Sequence, residues 1–167
     1  MRAAIYRGKG DLEVAETAVP QIGPSEVRVA VEYCGVCGTD LHDVLDGWGV
    51  PGSIGGHEWS GRVVEVGSDV LLETGTLIVG HPGNACGRCK ACLASRPNLC
   101  EDRSTAGVEQ SYGAFADYVV VDSDQVVTVP PGVEARPAAY AEPHAVALHA
   151  LGLVGGDPGH PGMSGTS

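Results

Sequence analysis

Four cysteines stand close together in the middle of the chain, at a spacing that can wrap one metal ion. Within fifteen residues their order is Cys86-x2-Cys89-x2-Cys92-x7-Cys100. Four thiolates bind Zn²⁺ as a closed tetrahedral site, which holds a loop together and takes no part in chemistry. Four reduced thiols, two disulfides or an iron–sulfur cluster are the alternatives. We expect a structural zinc lobe at residues 86–100.

A second group of potential ligands lies earlier in the chain and has a mixed composition. Cys37 opens a segment that ends at His42, and fourteen residues separate His42 from the adjacent His57 and Glu58. Thiolate, imidazole and carboxylate are all zinc ligands, and three protein ligands plus a water molecule are typical of a catalytic zinc. Each piece alone is a weak signal, but the flanking glycines let the backbone approach a shared centre. Cys34, in contrast, is expected to be a core thiol.

The chain segments around these candidate ligands have the sequence pattern of a mainly β protein. Short runs of branched apolar residues, separated by turns rich in Gly and Pro, are typical of strands. These runs lie at residues 27–31, 63–66, 76–79 and 118–121. Because no helices alternate with them, the pattern favours a barrel or a sandwich over a parallel α/β sheet.

Two helices are predicted beside these strands. Thr39 is expected to cap a short helix over residues 40–45, and the Ala- and Leu-rich segment predicts a longer helix over residues 136–153. Residues 154–167 show no periodicity and are expected to form a flexible tail. One domain over residues 1–153 is therefore predicted.

Charge and cysteine usage limit the kinds of partner and the compartment. The 167-residue chain carries 10 Lys and Arg against 21 Asp and Glu, a net charge of −11. Such a chain is not expected to bind nucleic acid or an anionic membrane surface. The N-terminus shows no apolar signal core and no stretch is long enough to span a bilayer, so the cytoplasm is predicted. Six cysteines in that compartment indicate metal binding or catalysis more than disulfides.

The motifs follow one another along the chain in an order that is itself informative. They are the Cys-Gly-Thr-Asp-Leu-His segment at 37–42, Gly-His-Glu at 56–58, the four-cysteine lobe, residues 113–121 and Ala-Glu-Pro at 141–143. From residue 1 to about residue 152 the series resembles the zinc-dependent medium-chain alcohol dehydrogenases. Glu142 at the third ligand position makes it more similar to the polyol and butanediol dehydrogenase branch. The resemblance implies a GroES-like, partly open β-barrel with short helices.

The resemblance also implies roles for individual residues. The implied ligands of a catalytic zinc are Cys37, His57, Glu58 and Glu142, of which Glu58 would ligate directly or alternate with water. Thr39 would pass the alcohol proton toward the cofactor ribose and His42. With the lobe, two zinc ions per chain are expected, and the activity implied is hydride transfer between an alcohol and a nicotinamide ring.

In the family a Rossmann domain follows the Ala-rich helix, and its glycine fingerprint does not occur here after a strand. We therefore expect no dinucleotide-binding residues in this chain, and NAD or NADP as cofactor only where such a domain is supplied. The sequence predicts the catalytic-domain portion of a dehydrogenase of small alcohols or polyols, truncated and inactive alone. A non-catalytic zinc-binding interaction domain and a hydrolytic zinc site are the competing hypotheses. The alcohol, the choice between NAD and NADP, and a homo-oligomer stay open.

Overall fold

The structure is a computed structural model and describes residues 1–81, 83, 85–102 and 113–155. Within these ranges the strands form two antiparallel sheets. The strands are β1 (Arg2–Gly8), β2 (Asp11–Glu16), β3 (Glu26–Cys34), β4 (Trp59–Val66), β5 (Leu77–Gly80), β6 (Tyr118–Asp122) and β7 (Val126–Thr128). The helices are α1 (Gly38–Leu45), α2 (Lys90–Leu93), α3 (Ala135–Ala138) and α4 (Ala141–Gly155), with short 3₁₀ turns at Pro97–Leu99 and Ser123–Gln125.

The larger sheet has five strands in the order β6-β3-β4-β5-β7. Alternate residues of β3 point to one face, so that Val27 and Val29 are fully buried. Around them the core contains Trp59, Val63, Ile78, Ala114, Val119 and Val121. The four strands predicted from branched apolar runs are all confirmed. In β3 and β6 a period of two buries one face of the sheet.

The smaller sheet is the hairpin of β1 and β2 at the N-terminus. Isolated bridges from Ala3 to Ala116 and from Ile5 to Ile54 attach it to the rest of the chain. Ala3, Ile5 and Ile54 form a second, small core there. The two sheets are open, which confirms the predicted mainly β, partly open architecture.

The helices differ from the prediction at their ends. α1 begins two residues earlier than expected, with Cys37 as its N-cap, because the Asp40 carboxylate accepts a hydrogen bond from the Cys37 N–H. Thr39 therefore lies inside the first turn and does not cap the helix.

The predicted single helix over 136–153 is wrong, because α3 and α4 are separate. Pro143 in the first turn of α4 has no N–H to donate to the Ala139 carbonyl, so a continuous helix cannot pass this point. α4 extends to Gly155, which takes in the first two residues of the predicted tail, and residues 156–167 lie outside the described residues. Among the described helices, none has the length and apolar character needed to cross a bilayer.

One buried hydrogen bond attaches α3 to the larger sheet. The Ser60 hydroxyl on β4 is fully buried and donates to the Ala135 carbonyl at 2.6 Å. This contact fixes where the segment that leads into α4 leaves the sheet.

Replacing Ser60→Ala is expected to lower the free energy of unfolding by about 1–3 kcal/mol, because the buried Ala135 carbonyl loses its hydroxyl donor. Urea denaturation followed by circular dichroism measures the change. Ser68→Ala is the matched control, since the exposed Ser68 hydroxyl bonds only the neighbouring Asp69 carboxylate, and a change below about 0.5 kcal/mol is expected there. Equal losses in the two variants would show that the Ser60 bond contributes nothing specific.

Candidate metal centres

Two groups of side chains that could each hold a metal ion lie on the part of the chain that the structure describes. In the first, which we call the mixed centre, the ligand atoms of Cys37, His57 and Glu58 all lie within 4.8 Å of one another. Cys37 precedes α1, while His57 and Glu58 directly precede β4. Because Cys34 at the end of β3 pairs with Trp59 at the start of β4, the sheet brings these two chain segments together.

Two glycines allow the close approach that this centre needs. The backbone N–H of Gly35 donates to the Glu58 carbonyl at 2.7 Å, and a Cβ at position 35 would lie 2.5 Å from a Glu58 carboxylate oxygen. Gly56 has a φ of +94°, and a Cβ there would lie 2.9 Å from the Cys34 sulfur. Side chains at these positions would displace Glu58 or His57.

A buried carboxylate connects the two segments of the mixed centre. Asp40, only 6% exposed, accepts hydrogen bonds from the Cys37 N–H at 2.8 Å and the Gly56 N–H at 3.1 Å. Its Oδ1 also lies 3.8 Å from Nδ1 of His57, which is longer than a hydrogen bond. The sequence analysis placed Asp40 only in a helix first turn, and its role as a positioning residue was missed because it depends on Gly56, far along the chain.

The other predicted site residues are distributed around the mixed centre as follows. The Thr39 hydroxyl lies 3.8 Å from the Cys37 sulfur, and His42 stands one turn further along α1. Glu142 lies half-buried in the first turn of α4 and is outside the ligand group found among the described residues. Its role as a zinc ligand stays a prediction.

Cys34 differs from the ligand cysteines in its surroundings. Its side chain packs against the main core. Burial, followed by the nearby carboxylates of Asp40 and Glu58, raises the pKa of the Cys34 thiol to about 12. Since metal binding and nucleophilic attack both use the thiolate, this environment supports the prediction of a core thiol.

The second group is the predicted lobe, in which Cys86, Cys89, Cys92 and Cys100 converge within the same 4.8 Å limit. The backbone N–H groups of Cys86 and Cys89 donate to the sulfurs of Cys100 and Cys86, each at 3.3 Å. All six cysteines, including these four, are free of disulfides. An ion pair of 2.7 Å between Arg88 and Asp102 joins the two ends of the lobe.

Two cysteines of the lobe have pKa values that are shifted in opposite directions. Backbone N–H donors, first that of Cys92 and then that of Glu101, lower the pKa of Cys89 to about 6. Burial and the hydrogen bond with Cys89 raise the pKa of Cys92 to about 12. A bound divalent cation would remove this difference in pKa between the cysteines, because its charge stabilises all four thiolates together. The donor sets therefore fit zinc in both places, as four sulfurs in the lobe and as S, N and O in the mixed centre.

A cleft of 270 Å³ opens beside the mixed centre. Its lining includes Glu58 and Cys34 together with Tyr33, Arg136 and Tyr140. The sequence analysis did not find the last three residues as neighbours of Glu58, since they come from β3 and from the segment around α3.

Comparison with known proteins gives one consistent family. The family model described as the alcohol dehydrogenase GroES-like domain matches residues 23–131. The chain is 33% identical to sorbitol dehydrogenase from Bacillus subtilis over 95% of its length, and 36% identical to L-threonine 3-dehydrogenase from Xanthomonas campestris over 89%. It covers 47% and 46% of those proteins, so the chain spans about half the length of the curated relatives it matches.

A solved structure agrees with these sequence relatives. A protein from Sinorhizobium meliloti, described as a zinc-binding dehydrogenase and bound to NADP, superimposes with a TM-score of 0.84 at 37% identity. The match covers 91% of this chain and 45% of that protein. The family match over residues 23–131 includes both groups of candidate metal ligands.

Asp40→Asn is expected to weaken zinc binding at the mixed centre by about 10- to 100-fold, because the amide nitrogen that replaces one carboxylate oxygen cannot accept a hydrogen bond from its N–H donor. Competition with a chromophoric chelator measures the affinity of each site. The control is Asp43→Asn, which changes a carboxylate of the same helix that bonds neither donor. Loss of zinc from the lobe as well, or equal effects of the two variants, would contradict this role.

The Cys34 thiol is expected to stay unmodified when the zinc-loaded protein is treated with iodoacetamide at pH 8, because a pKa near 12 leaves almost no thiolate. Mass spectrometry of the peptide that contains Cys34 gives the extent of reaction. Chelator and denaturant together should make all six cysteines reactive, which is the control. Rapid alkylation of Cys34 in the folded protein would show that its environment is not protective.

Proposed function

The chain belongs to the dehydrogenases that share the alcohol dehydrogenase GroES-like domain, and on this premise we propose that it is the zinc-binding catalytic half of such an enzyme. The reaction proposed is oxidation of a small alcohol or polyol, with transfer of hydride to a nicotinamide dinucleotide held by a further domain. The observation that carries the proposal is the convergence of Cys37, His57 and Glu58 beside the Thr39 hydroxyl.

Each residue of the mixed centre has its own proposed role. Cys37, His57 and Glu58 would hold a zinc ion, and Glu142 is proposed to complete or border the ligand shell. Bound there, zinc supplies a Lewis acid that makes the hydroxyl of an alcohol more acidic. The other step proposed for this half of the enzyme is transfer of the proton from the alcohol hydroxyl.

We propose that Thr39 accepts the proton at Oγ1. Its hydroxyl lies beside the Cys37 sulfur, and a hydroxyl both accepts and donates, so it can pass a proton on as it receives one. His42 stands three residues later on the same face of α1, at the distance where helical neighbours meet. We propose the order alcohol hydroxyl, Thr39 Oγ1, then His42.

The four-cysteine lobe has a structural role in this proposal. Its ligand shell would be closed, with four sulfurs and no open position, so no substrate can reach the metal. Two zinc ions per chain are proposed, of which the one in the mixed centre is exchangeable and the one in the lobe is required for the fold.

We expect a chelator to remove zinc in two steps, because the mixed centre has an open ligand position and the lobe does not. Cys37→Ser should hold one zinc per chain and keep its circular dichroism spectrum. Cys86→Ser should lose the other zinc and unfold at a lower temperature. Mass spectrometry gives metal content, and loss of both ions together in either variant would contradict two independent sites.

Substrate access is tested with Co²⁺ in place of zinc in the mixed centre. An alcohol that enters the open position is expected to change the visible spectrum of the cobalt protein, with sorbitol and L-threonine as probes and Cys37→Ser as the control. NAD and NADP are expected not to bind this chain, as measured by titration. Two bound metals with no spectral response to any alcohol would favour the non-catalytic zinc-binding domain.

A further inference from the structure

The His42 side chain is held by two residues of the turn that follows α1. Its Nδ1 lies 2.6 Å from the Asp46 carboxylate. The Trp48 indole stacks on the imidazole ring, with centroids 4.6 Å apart and planes inclined by 18°. These contacts define a cluster of His42, Asp46 and Trp48, which we call the histidine clamp.

The backbone folds the turn back onto His42. The His42 carbonyl accepts a hydrogen bond from the Asp46 N–H at 3.0 Å and from the Trp48 N–H at 3.5 Å. Asp46 is the C-cap of α1, so its side chain stands four residues from the imidazole, the spacing at which helical side chains meet. Each residue of the clamp is therefore fixed to His42 by its backbone as well as by its side chain.

The contact between Asp46 and His42 determines which ring nitrogen of His42 carries the proton. An ionised carboxylate only accepts hydrogen bonds, so Nδ1 of a neutral His42 must be the donor. The other nitrogen, Nε2, then has a free lone pair. We propose that Asp46 holds His42 in the Nδ1–H tautomer and that Nε2 is the atom that accepts the proton in the relay, with Trp48 restricting rotation of the ring.

Asp46 is thus a positioning residue for the reaction, and this part of the inference rests on the proposed function. The tautomer itself does not, since it follows from the contacts of the clamp. Asp46 and His42 are both about half exposed, and exposed pairs of this kind add less than about 1 kcal/mol to stability. Removing the Asp46 side chain is therefore expected to leave the fold intact.

The neighbouring carboxylate on α1 serves as the control. Asp43 carries the same charge on the same helix, and burial, followed by the charge of Asp40, raises its pKa. The structure gives Asp43 no hydrogen bond to the His42 ring, so Asp43→Asn changes the charge near His42 and keeps the bond to Asp46.

Long-range ¹H–¹⁵N correlation spectra of the imidazole side chains distinguish the two neutral tautomers and test the proposal on the full 167-residue chain. The spectra are recorded above the pH at which imidazoles titrate, with His42→Gln to assign the signal. We expect His42 to show the Nδ1–H pattern in the parent and in Asp43→Asn. In Asp46→Ala the signal should shift to the Nε2–H pattern that dominates in free histidine.

Trp48→Leu should keep the Nδ1–H pattern and broaden the His42 signals, because the bond to Asp46 remains while the ring gains freedom. An Nε2–H pattern in the parent, or an unchanged pattern in Asp46→Ala with native circular dichroism, would overturn the inference. A confirmed tautomer together with absent alcohol binding in the cobalt experiment would instead leave the clamp in place and contradict only the proposed function.

Discussion

The mixed centre depends on the hydrogen bonds of one buried carboxylate. Asp40 accepts from the N–H that precedes α1 and from the N–H that precedes His57, so it joins two segments separated by about twenty residues. A buried ionised group is stable only when such donors surround it. The same bonds also fix the start of α1, and through it the positions of Thr39 and His42.

The two groups of ligands illustrate two ways of building a metal site. The lobe draws its four sulfurs from fifteen consecutive residues and adds its own N–H donors and an ion pair at its ends. The mixed centre draws on residues at the ends of β3 and β4 and needs their pairing to be correct. The lobe is therefore closed by one local segment of the chain, whereas the mixed centre forms at the open ends of two paired strands.

This difference explains how much could be predicted from sequence. The spacing of the lobe cysteines already predicts a shared centre, and the period of two around Val27 and Val29 predicts the strand that carries the core. The position of Asp40 between two N–H donors could not be predicted, because it depends on the tertiary approach of Gly56. The same holds for Trp48 on His42, which depends on how the chain turns after α1.

The helix predicted over residues 40–45 is confirmed, while its first residues and the break between α3 and α4 differ from the prediction for local reasons that the sequence did contain. A carboxylate at Asp40 competes with a hydroxyl at Thr39 for the role of fixing the first turn, and the carboxylate bond to Cys37 prevails. Pro143 separates α3 from α4, since a missing N–H outweighs the helical propensity of the surrounding alanines. Whether Glu142 binds metal depends on contacts beyond the described mixed centre, and it stays a prediction.

The local character of the lobe has a consequence for the order of folding. Closing a loop of about fifteen residues costs little chain entropy, so the four cysteines can gather around a metal while most of the sheet is still unformed. The mixed centre can form only after β3 and β4 have paired in register. A shift of the pairing by one residue would turn the flanking side chains to the opposite face of the sheet. A newly made chain would therefore capture metal first at the lobe, and occupancy of the mixed centre would report that the sheet is complete.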